Sequence, residues 1–319
     1  MKTVSAGTRG NALRALLVMI CAIGLLVATS GSAVATTKTK SKKHKPKTPT
    51  ITTHSPVTKG STYLALGDSV TFGYEESTVV PAPNYQDPTS FIGYPEMLGS
   101  ELHLKVVNAA CPGETSSSLI DASAQSFACE NTAVPGGQPY RKMAPLHISY
   151  SGSQLAYALT YLHKHKNVRL VSLMIGANDY FVCQATTADH CASLTEQAGV
   201  LATLGKNVKT ILSAIRNQAH YGGQVAIVNY YSLDYSSPAQ STQSAALNQA
   251  MDSAAAPFHV EVADGFGELQ AAAAHSGGST CNAGLLTQLV NASTKCGVHP
   301  SYAGQALLAQ ALEKAIHLG

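Results

Sequence analysis

Five short apolar runs, separated by longer stretches with helical spacing, constrain this chain more than any other feature. They are Ser61–Leu66, Leu102–Asn108, Val168–Ile175, Gln224–Tyr230 and Phe258–Val262. A short, nearly continuous apolar run suits a parallel strand buried on both faces. Between and after them lie helical patterns. Ser153–His163 carries Leu155, Ala156, Leu159 and Leu162; Thr195–Gln218 carries Leu201, Leu204, Val208, Ile211, Leu212 and Ile215. Gly222-Gly223 helps to end the second of these. Ala245–Ala255 reads as a shorter helix, and Ser301–Leu318 as a terminal one with Leu307, Leu308, Ala311, Leu312 and Ala315 on its inner face. Strands alternating with helices predict a three-layer α/β/α sandwich around a central, mostly parallel five-stranded sheet with right-handed crossovers. Ligand chemistry then belongs at the carboxyl ends of the strands. Ser69, Asn108, Gly176–Asp179 and Tyr230-Tyr231 all fall there.

The ends of the chain read differently. In residues 1–35, basic Lys2, Arg9 and Arg14 precede an apolar stretch, Leu16–Val27, and the Ala33-Val34-Ala35 cleavage pattern. This pattern is expected of a signal peptide, and its apolar core is shorter than the ~20 residues of a comfortable membrane span. Residues 36–60 hold seven lysines and no acidic residue, with many threonines and few large apolar groups. Such a block cannot build a core and is expected to be a disordered linker. It could also rest weakly on an anionic cell surface. All 18 acidic residues lie in 61–319 against eleven Lys and Arg, so that part is formally about −7. No basic stripe offers itself to nucleic acid. Its 259 residues, without a repeat or an internal linker, make one domain with a sizeable core.

Six cysteines follow the leader, at 111, 129, 183, 191, 281 and 296. In an exported chain they imply disulfides, with fifteen possible connectivities. The sequence-local set, Cys111–Cys129, Cys183–Cys191 and Cys281–Cys296, is the simplest. Without Cys-x-x-Cys or His-Glu-x-x-His spacing, neither a metal nor a cofactor is expected.

Several of the strand-end residues can do chemistry. Ser69 follows a strand and a Gly-Asp turn, which suits an exposed nucleophile and equally a helix N-cap. His299-Pro300 precedes the last helix, where a histidine can serve as base or simply as structure. Asn178, in Gly176-Ala177-Asn178-Asp179, can aim an amide at a developing oxyanion, or fill an ordinary turn. Gly113 in the Cys111–Thr115 turn can offer a backbone N–H to the same charge. No Gly-x-Ser-x-Gly elbow is present.

These segments taken together resemble the SGNH, or GDSL-type, esterase and lipase family. Gly67-Asp68-Ser69-Val70 resembles its first block, Asn108–Thr115 its second, Gly176–Asp179 its third, and His299-Pro300 with Gly304 its last. The resemblance spans 67–304 in family order. It implies an SGNH hydrolase fold and a serine carboxylester hydrolase working through an acyl-enzyme. Ser69 would be the nucleophile and His299 the base; Ser69 N–H, Gly113 N–H and the Asn178 amide would form the oxyanion hole. Each well-placed donor there is worth roughly 3–4 kcal/mol. The cysteine pattern is similar to that of secreted actinobacterial members, which carry three sequence-local disulfides. One departure stands out. The family's acid, two or three residues before its histidine, is replaced here by Gly297 and Cys296. A backbone carbonyl orienting His299 in a Ser-His dyad is the leading expectation. A displaced acid, Asp264 or Glu268, is the next. A small-molecule or lipid ester is the expected substrate, with polysaccharide O-deacetylation and a non-catalytic wall-binding role as alternatives. The chain is expected to be monomeric and extracellular, without nucleic-acid partners. Phe72, Tyr74, Phe127, Tyr140, Tyr180 and Phe181 could form an apolar acyl pocket or part of the core.

Overall fold

The computed structural model describes residues 54–319; the expected signal peptide and residues 36–53 of the expected linker lie outside the described residues. The last part of that linker belongs to the domain instead. Val57 is buried, its N–H donates to the His317 carbonyl (2.9 Å), and it bridges to Leu318. Gln224 Nε2 also donates to the Ser55 carbonyl (3.2 Å), and Gly319 N to that of Val57 (3.1 Å).

The first half of the domain runs β1 (Thr62–Gly67), α1 (Ser69–Phe72), α2 (Tyr94–Glu101), β2 (Lys105–Asn108), α3 (Ser116–Ile120), α4 (Tyr140–Met143), α5 (Gln154–Lys164) and β3 (Val168–Met174). The second half runs α6 (Ala177–Thr186), α7 (Leu194–Ser213), β4 (Gln224–Val228), α8 (Pro238–Ala255), β5 (Glu261–Ala263), α9 (Gly265–Ala273), β6 (Leu286–Gln288), β7 (Cys296–Pro300) and α10 (Tyr302–Ala315). The five expected strands form one sheet in the order β2-β1-β3-β4-β5, every neighbouring pair parallel. Its middle strands are buried on both faces, as their apolar runs require. Helices α2, α9 and α10 pack together, as do α3, α5, α6, α7 and α8, and the two groups flank the sheet. The architecture is the expected α/β/α sandwich.

Two consequences of this order place the site. The chain leaves β1 toward β2 on one side and returns to β3 on the other, so a crevice opens between the carboxyl ends of β1 and β3. A separate antiparallel hairpin, β6–β7, then leads directly into α10. It was not foreseen from the sequence, and it carries His299. Helices α1–α4, α6 and α9 also lie outside the expected helical stretches, and the remaining differences are local. α8 begins at Pro238, seven residues before the apolar pattern suggests, because Ser237 caps it and proline fits its first turn. The end of the long helix, Ala214–Gln218, widens into a π turn, and β5 starts at Glu261 because His259 adopts a left-handed conformation (φ 51°). Cys111–Cys129, Cys183–Cys191 and Cys281–Cys296 are all disulfide-bonded. Among the described residues no helix is long and apolar enough to cross a membrane.

Candidate active site

The site begins where β1 stops. Gly67 has φ 153°, and a Cβ there would collide with the Thr71 side chain and the Met174 carbonyl of β3. Only glycine lets the chain turn so tightly beside its neighbouring strand. Asp68 then caps α1, its Oδ1 accepting from Val70 N at 3.0 Å. Ser69 becomes the first residue of that short helix, with its hydroxyl facing the crevice.

His299 arrives from the hairpin. Its Nε2 lies 2.9 Å from Ser69 Oγ, across 230 residues of sequence. The other ring nitrogen, Nδ1, lies 2.8 Å from Oε1 of Glu76. Glu76 sits in the loop after α1, only seven residues beyond Ser69, and also accepts from Thr287 Oγ1 (2.6 Å) and Val298 N (3.2 Å). Burial by itself would raise its pKa, but the His299 hydrogen bond and charge and the Thr287 hydroxyl outweigh that and hold it at about 2. The carboxylate is therefore ionised throughout the neutral range. The His299 and Glu76 side chains are only 14% and 22% exposed, so their interaction is partly shielded from water.

This geometry replaces the expected dyad with a continuous Ser69–His299–Glu76 chain. Neither displaced-acid candidate takes part. Asp264 caps α9, accepting from Gly267 N at 2.8 Å, and Glu268 pairs with Lys314 Nζ at 2.7 Å. Both follow β5, at the edge of the sheet. A backbone carbonyl is not the partner of Nδ1 either. The glycine at 297 explains the substitution sterically: a Cβ there would overlap the Glu76 carboxylate and the Thr287 hydroxyl. An acid from the loop occupies space that a side chain near His299 in sequence would otherwise take. The signal available in the sequence was indirect, namely the absence of an acid at 296 and 297 together with the Glu75-Glu76 pair just past the Gly67-Asp68-Ser69 turn.

Asn178, the second residue of α6, lines the same crevice, and its Nδ2 donates to Asp68 Oδ2 (3.3 Å). Gly113 turns the chain after β2 with φ 82°, and its carbonyl accepts from Phe127 and Ala128 N. The Cys111–Cys129 disulfide closes the loop that holds this turn. Beside Ser69 and His299 lies a cavity of about 280 Å³. Its apolar wall is made by Tyr180, Phe181, Tyr231, Leu233, Leu247 and Val298, with three glutamines, Gln184, Gln240 and Gln243, also facing it. Of the six aromatic candidates only Tyr180 and Phe181 reach this wall. Phe72 and Tyr140 are buried in a small second core with Phe91, Phe127 packs on Phe181 (5.5 Å between rings), and Tyr74 sets its ring against His299 (4.8 Å). Two cysteine pairs lie close to a carboxylate, Cys111 and Cys129 by Glu114 and Cys183 and Cys191 by Glu196, but all four sulfurs are in disulfides and offer no thiolate to a metal.

Among solved structures the chain is similar to phospholipase A1 from Streptomyces albidoflavus NA297, at 18% identity over 80% of this chain and 99% of that one, with a TM-score of 0.49. It is also similar to the acetylxylan esterase Axe2 from Geobacillus stearothermophilus (16% identity, 83% and 98% coverage, TM-score 0.49). A third is LAE5, an alpha/beta hydrolase enzyme from the metagenome of Lake Arreo, Spain (15% identity, 81% and 96% coverage, TM-score 0.48). No curated protein matches the sequence. The model of one family matches residues 65–307, from β1 through the site to α10, and the chain accordingly belongs to the GDSL-like lipase/acylhydrolase family, a family of ester hydrolases.

Proposed function

We propose that this protein is a secreted serine carboxylester hydrolase with a Ser69–His299–Glu76 triad. The observation that carries the reading is the hydrogen-bonded chain from Ser69 Oγ through both nitrogens of His299 to the Glu76 carboxylate. With its proton on Nδ1, the imidazole donates to Glu76 and presents a lone pair at Nε2 to the Ser69 hydroxyl. Nε2 takes the hydroxyl proton as Oγ bonds to the ester carbonyl carbon. The negative charge that forms on the carbonyl oxygen is met by the N–H groups of Ser69 and Gly113 and by the Asn178 amide. Collapse of this adduct breaks the ester bond, and the leaving alkoxide takes the proton from Nε2. Water then gives its proton to Nε2 and attacks the acyl carbonyl, releasing the acid and restoring Ser69. Glu76 stays ionised throughout and stabilises the imidazolium.

The wall of tyrosine, phenylalanine and leucine beside Ser69 favours an apolar acyl chain over an acetyl group, because burying that chain is worth roughly 0.8 kcal/mol per CH₂. Export is supported by the leader-like segment and by three disulfides, which persist in oxidising compartments. The test is p-nitrophenol release from acetyl, butyryl, octanoyl and palmitoyl esters by the wild type and Ser69→Ala. Serine-dependent turnover that rises beyond the acetyl ester is expected. Activity on acetyl esters alone would replace the acyl-chain reading with polysaccharide deacetylation. No serine-dependent turnover on any ester would remove the enzymatic reading altogether.

A further inference from the structure

We infer that Tyr230 is a positioning residue for the oxyanion-binding amide: acting through the Asp68 carboxylate, its hydroxyl sets the orientation of the Asn178 side chain. The inference rests on the proposed hydrolase site and concerns a residue outside the triad and the oxyanion donors. Asp68 is almost wholly buried, at 1% exposure, and its two oxygens divide their work. Oδ1 caps α1 at Val70 N, whereas Oδ2 accepts from both Asn178 Nδ2 and the Tyr230 hydroxyl. One oxygen atom thus joins the ends of β1, β3 and β4.

An asparagine amide carries two N–H groups and turns about a soft terminal torsion. In Asn178 one N–H is taken by Asp68, and the side chain otherwise faces the cavity beside Ser69. The free N–H aims correctly only if Asp68 Oδ2 is fixed and remains a pure acceptor. Tyr230 provides both conditions. Burial pushes the Asp68 carboxyl up to about 6, and the Tyr230 hydrogen bond is the largest influence opposing that rise. An ionised carboxylate accepts only the N–H end of the amide, which prevents Asn178 from presenting its carbonyl oxygen instead. Tyr230 is itself held firmly. Its backbone N–H and C=O both bond to the Asn248 side chain of α8, each at 2.8 Å, so the phenol leaves the end of β4 at a set angle. Packing alone would be served by phenylalanine; a buried hydroxyl needs a partner, and here the partner is the carboxylate.

The test is a double-mutant cycle on an ester that the wild type turns over. Tyr230→Phe should lower kcat about tenfold, a fraction of the 10²–10³ lost when an oxyanion donor is removed outright, with KM within about twofold. In an Asn178→Ala background the same change should cost no more than about twofold, because the group it orients is gone. Replacing Tyr230 with p-aminophenylalanine keeps the ring and a weaker donor; its kcat should fall between wild type and Tyr230→Phe. It also supplies the cycle if Tyr230→Phe does not fold. Equal losses in the two backgrounds, or a change confined to KM, would overturn the inference while leaving the serine hydrolase reading intact. Turnover that survives Ser69→Ala would overturn both.

Discussion

Glu76 shows how far a single side chain can depart from its place in a pattern while still meeting the same physical demand. A serine–histidine pair needs its imidazole held in one tautomer, and a carboxylate on Nδ1 does that wherever it comes from. Glu76 reaches it from the loop after α1, braced by Thr287 and the backbone of Val298. Glu76→Ala should therefore lower kcat/KM by at least about 10²-fold, toward the ~10⁴ seen when a triad acid is neutralised. Asp264→Ala and Glu268→Ala should leave kcat/KM within about twofold, since one caps α9 and the other pairs with Lys314. Loss of activity in either, with Glu76→Ala unaffected, would return the acid to the neighbourhood of β5.

At the scale of elements, the β6–β7 hairpin matters most, for it carries His299 and supplies Thr287 to Glu76. Its strands are only three and five residues long and pair in an irregular register. Such a hairpin is marginal without reinforcement. Cys281–Cys296 provides it by closing a loop of 15 residues, a constraint worth about 3 kcal/mol. The Cys281→Ser, Cys296→Ser double variant should lose stability of that order in chemical denaturation. It should also lose kcat at temperatures where it remains folded. A loss of stability with kcat unchanged would mean that the turn around His299 holds its shape without the crosslink. None of this hairpin was legible from periodicity, because Leu286–Gln288 and Cys296–Pro300 mix apolar and polar residues over lengths too short to show a period. The middle strands β1, β3 and β4 were legible because burial on both faces makes them almost continuously apolar, while the edge strands β2 and β5 are partly exposed.

The molecule as a whole gathers buried carboxyls around its strand ends. Burial pushes Glu114 to about 8, Glu96 to about 7, and Asp68 and Asp179 to about 6. In the unfolded chain these groups give up their protons near their ordinary values, roughly pH 4. Between there and about 8 the native state binds more protons than the unfolded state, so stability falls as pH rises. Glu76, held at about 2, works in the opposite sense, but its contribution is lost only as pH falls below the ordinary carboxylate range. Thermal unfolding should accordingly show a higher Tm near pH 5 than near pH 8. A Tm that rises across that interval would mean that these four carboxyls are ionised in the native state at little cost.

Taken alone, the sequence determined the sheet and four of its flanking helices, α5, α7, α8 and α10, and its family resemblance marked four positions around the crevice. The sheet and those helices rest on short-range physics, apolar runs for the strands and helical periodicity for the helices. It also exposed a gap, the missing acid before His299. Only the tertiary structure decided what fills that gap, which aromatic side chains wall the cavity, and which buried hydroxyl steadies Asn178. Those outcomes depend on where loops and strand ends meet after the chain crosses over between β1 and β3. Glu76 and His299 are separated by 223 residues, and their hydrogen bond at 2.8 Å exists only because the hairpin folds back over the first turn.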